Sequence, residues 1–138
     1  MTVQGIGVDI TDVHRMARLL SAHGDRFARK WFHADEIAAC ARRRDPARAY
    51  AEHFAVKEAV WKALGAAGWD GPLAWRSIIY RPGTATPVEL QGRAGALADR
   101  VGTGLAVHAV VTSRAHYALA TVLVTAVTSP VMVRSQPR

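Results

Sequence analysis

The chain has 138 residues, half of them hydrophobic, which suits one core and leaves little room for a second domain. Lysine and arginine outnumber aspartate and glutamate by 18 to 11, and the net charge of +7 favours anionic partners: phosphorylated cofactors, acidic proteins, nucleic acid or anionic lipid. Cys40 is the lone cysteine, which excludes an internal disulfide and a cysteine-based zinc site, and no apolar run nears the ~20 residues of a membrane span.

The elements follow in chain order. Val3 to Ile10 alternates, with Ile6, Val8 and Ile10 on one face and Gly5, Gly7 and Asp9 on the other, the pattern of a half-buried strand. Its glycine face lets another backbone approach closely. Asp9 sits where a secretory leader would be apolar, so a cytoplasmic protein is expected. Thr11 or Asp12 caps a predicted helix to about Ala22, with Val13, Met16, Ala17 and Leu20 as its apolar stripe, and Gly24 ends it. A short basic helix over Arg26–Trp31 and another over Ala34–Arg43 follow.

Asp45-Pro46 opens the longest predicted helix, which is expected to run to Leu64 with Gly65 as its C-terminal cap. Gly65 to Pro72 reads as a loop, Trp75–Arg81 and Val88–Gln91 as strands, and Arg93–Val101 as a helix ended by Gly102 and Gly104. Leu105–Val111 and Tyr117–Val127 form a predicted hairpin around Thr-Ser-Arg-Ala-His. The resulting fold class is α+β, with the long helix packed on an antiparallel sheet. Residues 1–128 make the expected domain and 129–138 a flexible tail.

On the long helix, Tyr50, Ala51, Phe54, Glu58 and Trp61 fall near one face, so Glu58 interrupts a stripe expected to face the sheet, with Trp61 in the core. An ionised carboxylate there needs a cation or several hydrogen bonds, and Asp9 poses the same problem on its strand. Together they would make a hard oxygen site suited to Mg²⁺, completed by water and substrate phosphates. Lys57 and Lys62 could hold a pyrophosphate beside it. Spacing alone equally allows an i,i+4 pair of Glu58 with Lys62, worth ~0.3–0.5 kcal/mol, and a capping role for Asp9.

Four segments resemble one family. Phe54-Ala55-Val56-Lys57-Glu58-Ala59-Val60-Trp61-Lys62-Ala63-Leu64-Gly65 is similar to the F-A-x-K-E-A-x-x-K-A-L-G signature of holo-(acyl-carrier-protein) synthases, the short, trimeric class of 4′-phosphopantetheinyl transferases. Gly5-Ile6-Gly7-Val8-Asp9-Ile10 resembles their G-I-G-x-D-I strand, Arg26 to Glu36 their R-F-x-x-R-x-L-T-x-x-E segment, and His108 with His116-Tyr117-Ala118-Leu119-Ala120 their final hairpin. The resemblance implies transfer of phosphopantetheine from coenzyme A to a serine of an acidic acyl carrier protein, with Mg²⁺ as cofactor. It implies that Asp9 and Glu58 are the metal ligands, with Glu58 and Lys62 catalytic. Lys57, Lys62, Gly65 and His108 would serve coenzyme A, His108 coming from a neighbouring subunit of a homotrimer. Arg15, Arg18, Arg26 and Phe27 lie where members dock the carrier protein.

Departures mark a divergent member: His53 for an arginine, His33 for a capping threonine, Arg81 and Ala85 in the nucleotide loop, and Val110 and Ser113 after His108. His14, His23, His33 and His116 lack ligand spacing and read as surface histidines. Two competing readings stand beside the transferase. A small basic nucleic-acid-binding module accounts for the charge and aromatics but not for paired carboxylates; a catalytically silent homologue would keep the fold as an interaction subunit.

Overall fold

Backbone contact between the first strand and the longest helix organises the molecule. The computed structural model describes residues 1–70, 74–102 and 104–127. Strand β1 (Thr2–Asp12) leads into α1 (Val13–Trp31), α2 (Ala34–Ala41) and α3 (Pro46–Ala66). A 3₁₀ turn at Trp75–Ser77 precedes β2 (Ile78–Tyr80) and β3 (Val88–Leu90), then α4 (Gly92–Val101), β4 (Leu105–Arg114) and β5 (Tyr117–Ala126). The main antiparallel sheet has the order β1-β5-β4, and β2 and β3 form a separate antiparallel pair. Helix α3 packs across β1 and β5, as an α+β reading requires.

That contact runs through small residues. Ala51, Ala55, Ala59 and Ala63 recur at i,i+4 along α3 and are fully buried. Opposite them, a Cβ built on Gly5 would lie 2.0 Å from the Ala63 carbonyl oxygen, and one on Gly7 1.9 Å from that of Ala59. The glycine face of β1 is therefore the buried one. Ile6, Val8 and Ile10 point outward at 59, 48 and 63 % exposure.

Several element ends differ from the sequence expectation. Helix α1 is not among them: it breaks at Gly24 as expected, where the backbone is non-helical at φ 52 and ψ −135, and a second helical stretch runs on to Trp31. Helix α3 runs on to Ala66, and Gly65 lies inside it instead of capping it. The cap is formed further on: Gly68, at φ 102, donates to Gly65 O and Trp69 N donates to Leu64 O at 2.8 Å. Left-handed backbone is needed at Gly68, so the earlier glycine was the wrong stop signal. Strand β2 is shortened because Trp75–Ser77 curls into the 3₁₀ turn. The hairpin turn is tighter than expected, with Thr112 to Arg114 paired in β4 and Ala115 at φ 51. The 129–138 tail and part of the Gly65–Pro72 loop lie outside the described residues.

A second buried feature fastens α2 to α3. Glu36, His53 and Lys57 are at most 3 % exposed. Lys57 Nζ donates to Glu36 Oε1 at 2.6 Å, to Trp75 O at 2.8 Å and to Ile78 O, while His53 Nδ1 lies 2.8 Å from Glu36 Oε2. Burial lowers the Lys57 pKa, and Glu36 offsets part of that. His33 supplies a full capping box with Glu36, contrary to the expected loss of one: Asp35 N donates to its ring, and its own N donates to Glu36 Oε1. Burial pushes the Cys40 thiol up to about 12, so it packs as an inert apolar group. Among the described residues no helix is long and apolar enough to cross a membrane.

Gly7→Ala should cost more than about 3 kcal/mol or prevent folding, because the obstruction is backbone and cannot rotate away. Gly65→Ala, whose Cβ would meet nothing within 4 Å, should be stabilising by about 0.5–1 kcal/mol. Urea unfolding of both variants checks the contrast.

Candidate active site

The packing of β1 on α3 brings Asp9 and Glu58 into one cleft. Gly5 lies under Ala63 and Gly7 under Ala59, so the strand advances as the helix recedes. The next inward position, Asp9, then arrives near Glu58. Both carboxylates line a cleft of about 550 Å³ whose walls include Ile10, Thr11, Met16, Phe27, Trp31, Phe54 and Tyr117.

Each oxygen of Asp9 is engaged. Lys62 Nζ donates to Oδ1 at 2.9 Å and to Val8 O at 3.0 Å, while Thr11 Oγ1 donates to Oδ2 at 3.1 Å. The sequence offers Thr11 as a helix cap; the cap is Asp12, and the i+2 spacing of Thr11 from Asp9 on one strand face is the signal for the contact it makes instead. Burial, and then the negative charge of Asp9, raise the Glu58 pKa above the usual carboxylate value, with Lys62 offsetting part of the rise. Two carboxylates that repel one another in a partly desolvated cleft suit a cation between them. Among the described residues no group of three or more His, Cys, Asp or Glu side chains could hold a metal, so a protein cage for zinc or calcium is not formed. A pair of carboxylates fits Mg²⁺, which completes its shell with water and phosphate oxygens.

Glu58, Trp61, Lys62 and Gly65 stand at i, i+3, i+4 and i+7 on α3 and form its uncovered strip. Of the stripe expected to face the sheet, Ala51 lies in the buried alanine row, whereas Glu58 lines the cleft and Trp61 is exposed. Trp61 is 37 % exposed and not core, because the alanine stripe meets the sheet and other positions meet α1 and α2. Lys57 is corrected too. Its ammonium is fully buried in the Glu36 network, leaving none of it to contact a phosphate in the cleft.

Helix α1 forms the opposite wall. Asp12 caps it, accepting from His14 N at 2.8 Å and Arg15 N at 3.1 Å. Arg15 and Phe27 line the cleft, whereas Arg18 and Arg26 are exposed on the same helix without lining it. Trp31, Phe54 and Trp75 cluster with ring centroids 5.2–6.0 Å apart. Exposed His14 and His116 meet one another, with Nε2 and Nδ1 2.5 Å apart, a pairing their separation in sequence concealed.

His108 is elsewhere. It projects from β4 into a second cleft of about 460 Å³, shared with Ala85, Thr86, Glu89 and Asp99, and lies 3.1 Å from Thr125 Oγ1. Arg81 is tied to Asp35 at 3.0 Å and Glu89 at 3.1 Å, and Ser113 accepts from Arg48 at 2.7 Å. Within one chain, Asp9, Glu58 and Lys62 come together and His108 does not join them.

The chain is similar to known proteins in sequence and in fold. A sequence model of the 4′-phosphopantetheinyl transferase superfamily matches residues 5–122. A holo-(acyl-carrier-protein) synthase of Klebsiella pneumoniae is 35% identical over 125 residues, covering 90% of this chain and 98% of the relative. Crystallographic counterparts include the Neisseria meningitidis synthase, with TM-score 0.71, 26% identity and coverage of 90% and 99% of the two chains. The Helicobacter pylori synthase in complex with coenzyme A has TM-score 0.69, 25% identity and coverage of 87% and 99%. The class is thus an α+β transferase domain. Within that class the chain belongs to the holo-(acyl-carrier-protein) synthase family of the 4′-phosphopantetheinyl transferase superfamily.

Two outcomes follow. Lys57→Met should lose about 3–5 kcal/mol in chemical denaturation, since it strands Glu36 in the core. Because the folded-state pKa of Glu58 is raised, its ionised form opposes folding above that pKa, and the penalty vanishes below the unfolded value near pH ~4.3. Metal-free Glu58→Gln should therefore melt about 1–3 °C higher than the parent at pH 7 and no higher at pH 4. Calorimetry at both pH values measures the difference.

Proposed function

We propose that this chain transfers 4′-phosphopantetheine from coenzyme A to a serine of an apo acyl carrier protein, with Mg²⁺ as cofactor. The observation that carries the reading is the meeting of Asp9 and Glu58 in one cleft with Lys62 against them. A divalent cation bound there supplies charge neutralisation to a diphosphate. Asp9 and Glu58 would hold it, and Lys62, 46 % exposed along its side chain, can reach anionic oxygens beside it.

In the reaction, the serine oxygen attacks the β-phosphorus of coenzyme A. The bond from that phosphorus to the bridging oxygen breaks, and adenosine 3′,5′-bisphosphate departs with Lys62 meeting its new charge. Glu58, a carboxylate that lines the cleft, would take the serine proton. Gly65 leaves space on the same helix strip for the cofactor. Carrier docking falls to α1: Arg15, Arg18 and Arg26 offer positive charge to an acidic partner, and Phe27 an apolar contact beside the cleft.

A homotrimer fits the exposed sheet face. Val3, Ile6, Val8, Ile10 and Val110, on the two outer strands of the sheet, are between 48 and 69 % exposed, too much aliphatic surface for a sheet face left in water. His108 stands on β4 of that sheet, so a neighbouring copy packed there could bring it to the nucleotide end of this chain's site.

Incubation with apo carrier protein, coenzyme A and Mg²⁺ should yield a phosphopantetheine adduct on serine by mass spectrometry. Asp9→Ala and Glu58→Ala should reduce its rate by about 100-fold or more while the protein stays folded. Absence of adduct, together with salt-dependent binding of nucleic acid, would favour the small basic binding module instead. Sedimentation should show trimers, and Ile6→Glu should give monomers of greatly reduced activity; a fully active monomer would refute the shared site.

A further inference from the structure

Asp9 has no oxygen to spare. Thr11 takes Oδ2 at 3.1 Å and Lys62 takes Oδ1 at 2.9 Å. Any cation that binds this carboxylate must displace one of them or share an oxygen with it. Thr11 is neutral, and its hydroxyl can rotate and remain. Lys62 carries a full positive charge, which repels an incoming divalent ion at this range.

Lys62 is also the member that can leave. Its side chain is 46 % exposed, and the strand carbonyl it touches, Val8 O at 3.0 Å, is its remaining hydrogen-bond acceptor. Lys57, five residues earlier on α3, shows the contrast: fully buried and held by three acceptors, it has no path out. Glu58 lies one helical turn from Lys62, close enough for the ammonium to act on its carboxyl group. The lysine therefore faces both acids that would hold the ion.

We propose that Lys62 is a built-in stand-in cation, bound to Asp9 until a diphosphate draws it away, so that divalent metal and diphosphate enter as a coupled pair. This rests on Asp9 and Glu58 forming the cation site. Metal alone must evict an ammonium that has no better anion to meet. A diphosphate provides that anion and simultaneously offers oxygens to the metal, so each ligand strengthens binding of the other by the same factor. In its resting form the site discourages loose cations without any moving lid.

Mn²⁺ titrations followed by the electron paramagnetic resonance signal of the free ion test this, with and without coenzyme A. Lys62→Met keeps an unbranched side chain, one atom shorter, and removes its charge. It should bind Mn²⁺ alone about three- to tenfold more tightly than the parent. Coenzyme A should tighten Mn²⁺ binding about tenfold in the parent and distinctly less in the variant. Lys62→Arg should keep the weak metal-only binding of the parent, because it keeps the charge. If Lys62→Met binds Mn²⁺ alone no more tightly than the parent, while Asp9→Asn weakens Mn²⁺ binding, the stand-in role is refuted and the metal site survives. If Asp9→Asn leaves Mn²⁺ binding unchanged, the metal site itself is refuted, and the stand-in role with it.

Discussion

The approach of one backbone to another, with no side chain between them, governs this molecule. Gly5 and Gly7 allow β1 to lie directly on the alanine stripe of α3, where a single methyl group would collide with a carbonyl oxygen. Larger residues would push the strand outward by the thickness of a side-chain layer. Asp9 would then stand away from Glu58, and a cleft with paired acids would become two isolated surface charges. The pairing of the two acids is a by-product of tight packing two and four residues earlier in the strand.

The same helix uses lysine in two opposite ways. Lys57 is dry and satisfied by Glu36 and two carbonyls, so it acts as a rivet between α2, α3 and the 3₁₀ turn. Buried pairs of this kind contribute little net stability but are costly to break. Lys62 is wet and lightly held. Five residues of helix, about 140° of rotation, separate the two. The same spacing thus yields one buried lysine and one lysine open to the cleft, a difference in surroundings that the spacing alone does not reveal.

Much of this was legible in the sequence, for identifiable reasons. The alternation of β1, the Asp45-Pro46 start of α3 and the apolar hairpin are local patterns, and they formed as local physics predicts. The order of motifs was enough to name Asp9, Glu58 and Lys62, which the fold brings together. What failed depended on neighbours. Trp61 looked like core because a helical wheel does not show which of several faces remains uncovered once sheet, α1 and α2 have taken theirs. Gly65 looked like a stop because a second glycine, three residues on, adopts the left-handed conformation instead. His33 and His53 looked like losses, yet each accepts or faces a polar group through a ring nitrogen that the sequence could not place.

The bend at Gly24 divides α1 into two short rods with independent orientations. Arg15 and Arg18 belong to the first, Arg26 and Phe27 to the second. A macromolecule gripping both rods meets an elbow, and its own surface must be hollowed to match. Adding or removing one residue at the elbow would swing the second rod's side chains by roughly 100° about its axis. Such a change would alter the surface that α1 presents while leaving Asp9 and Glu58 in place, so the outer face of this helix can vary without disturbing the cleft behind it.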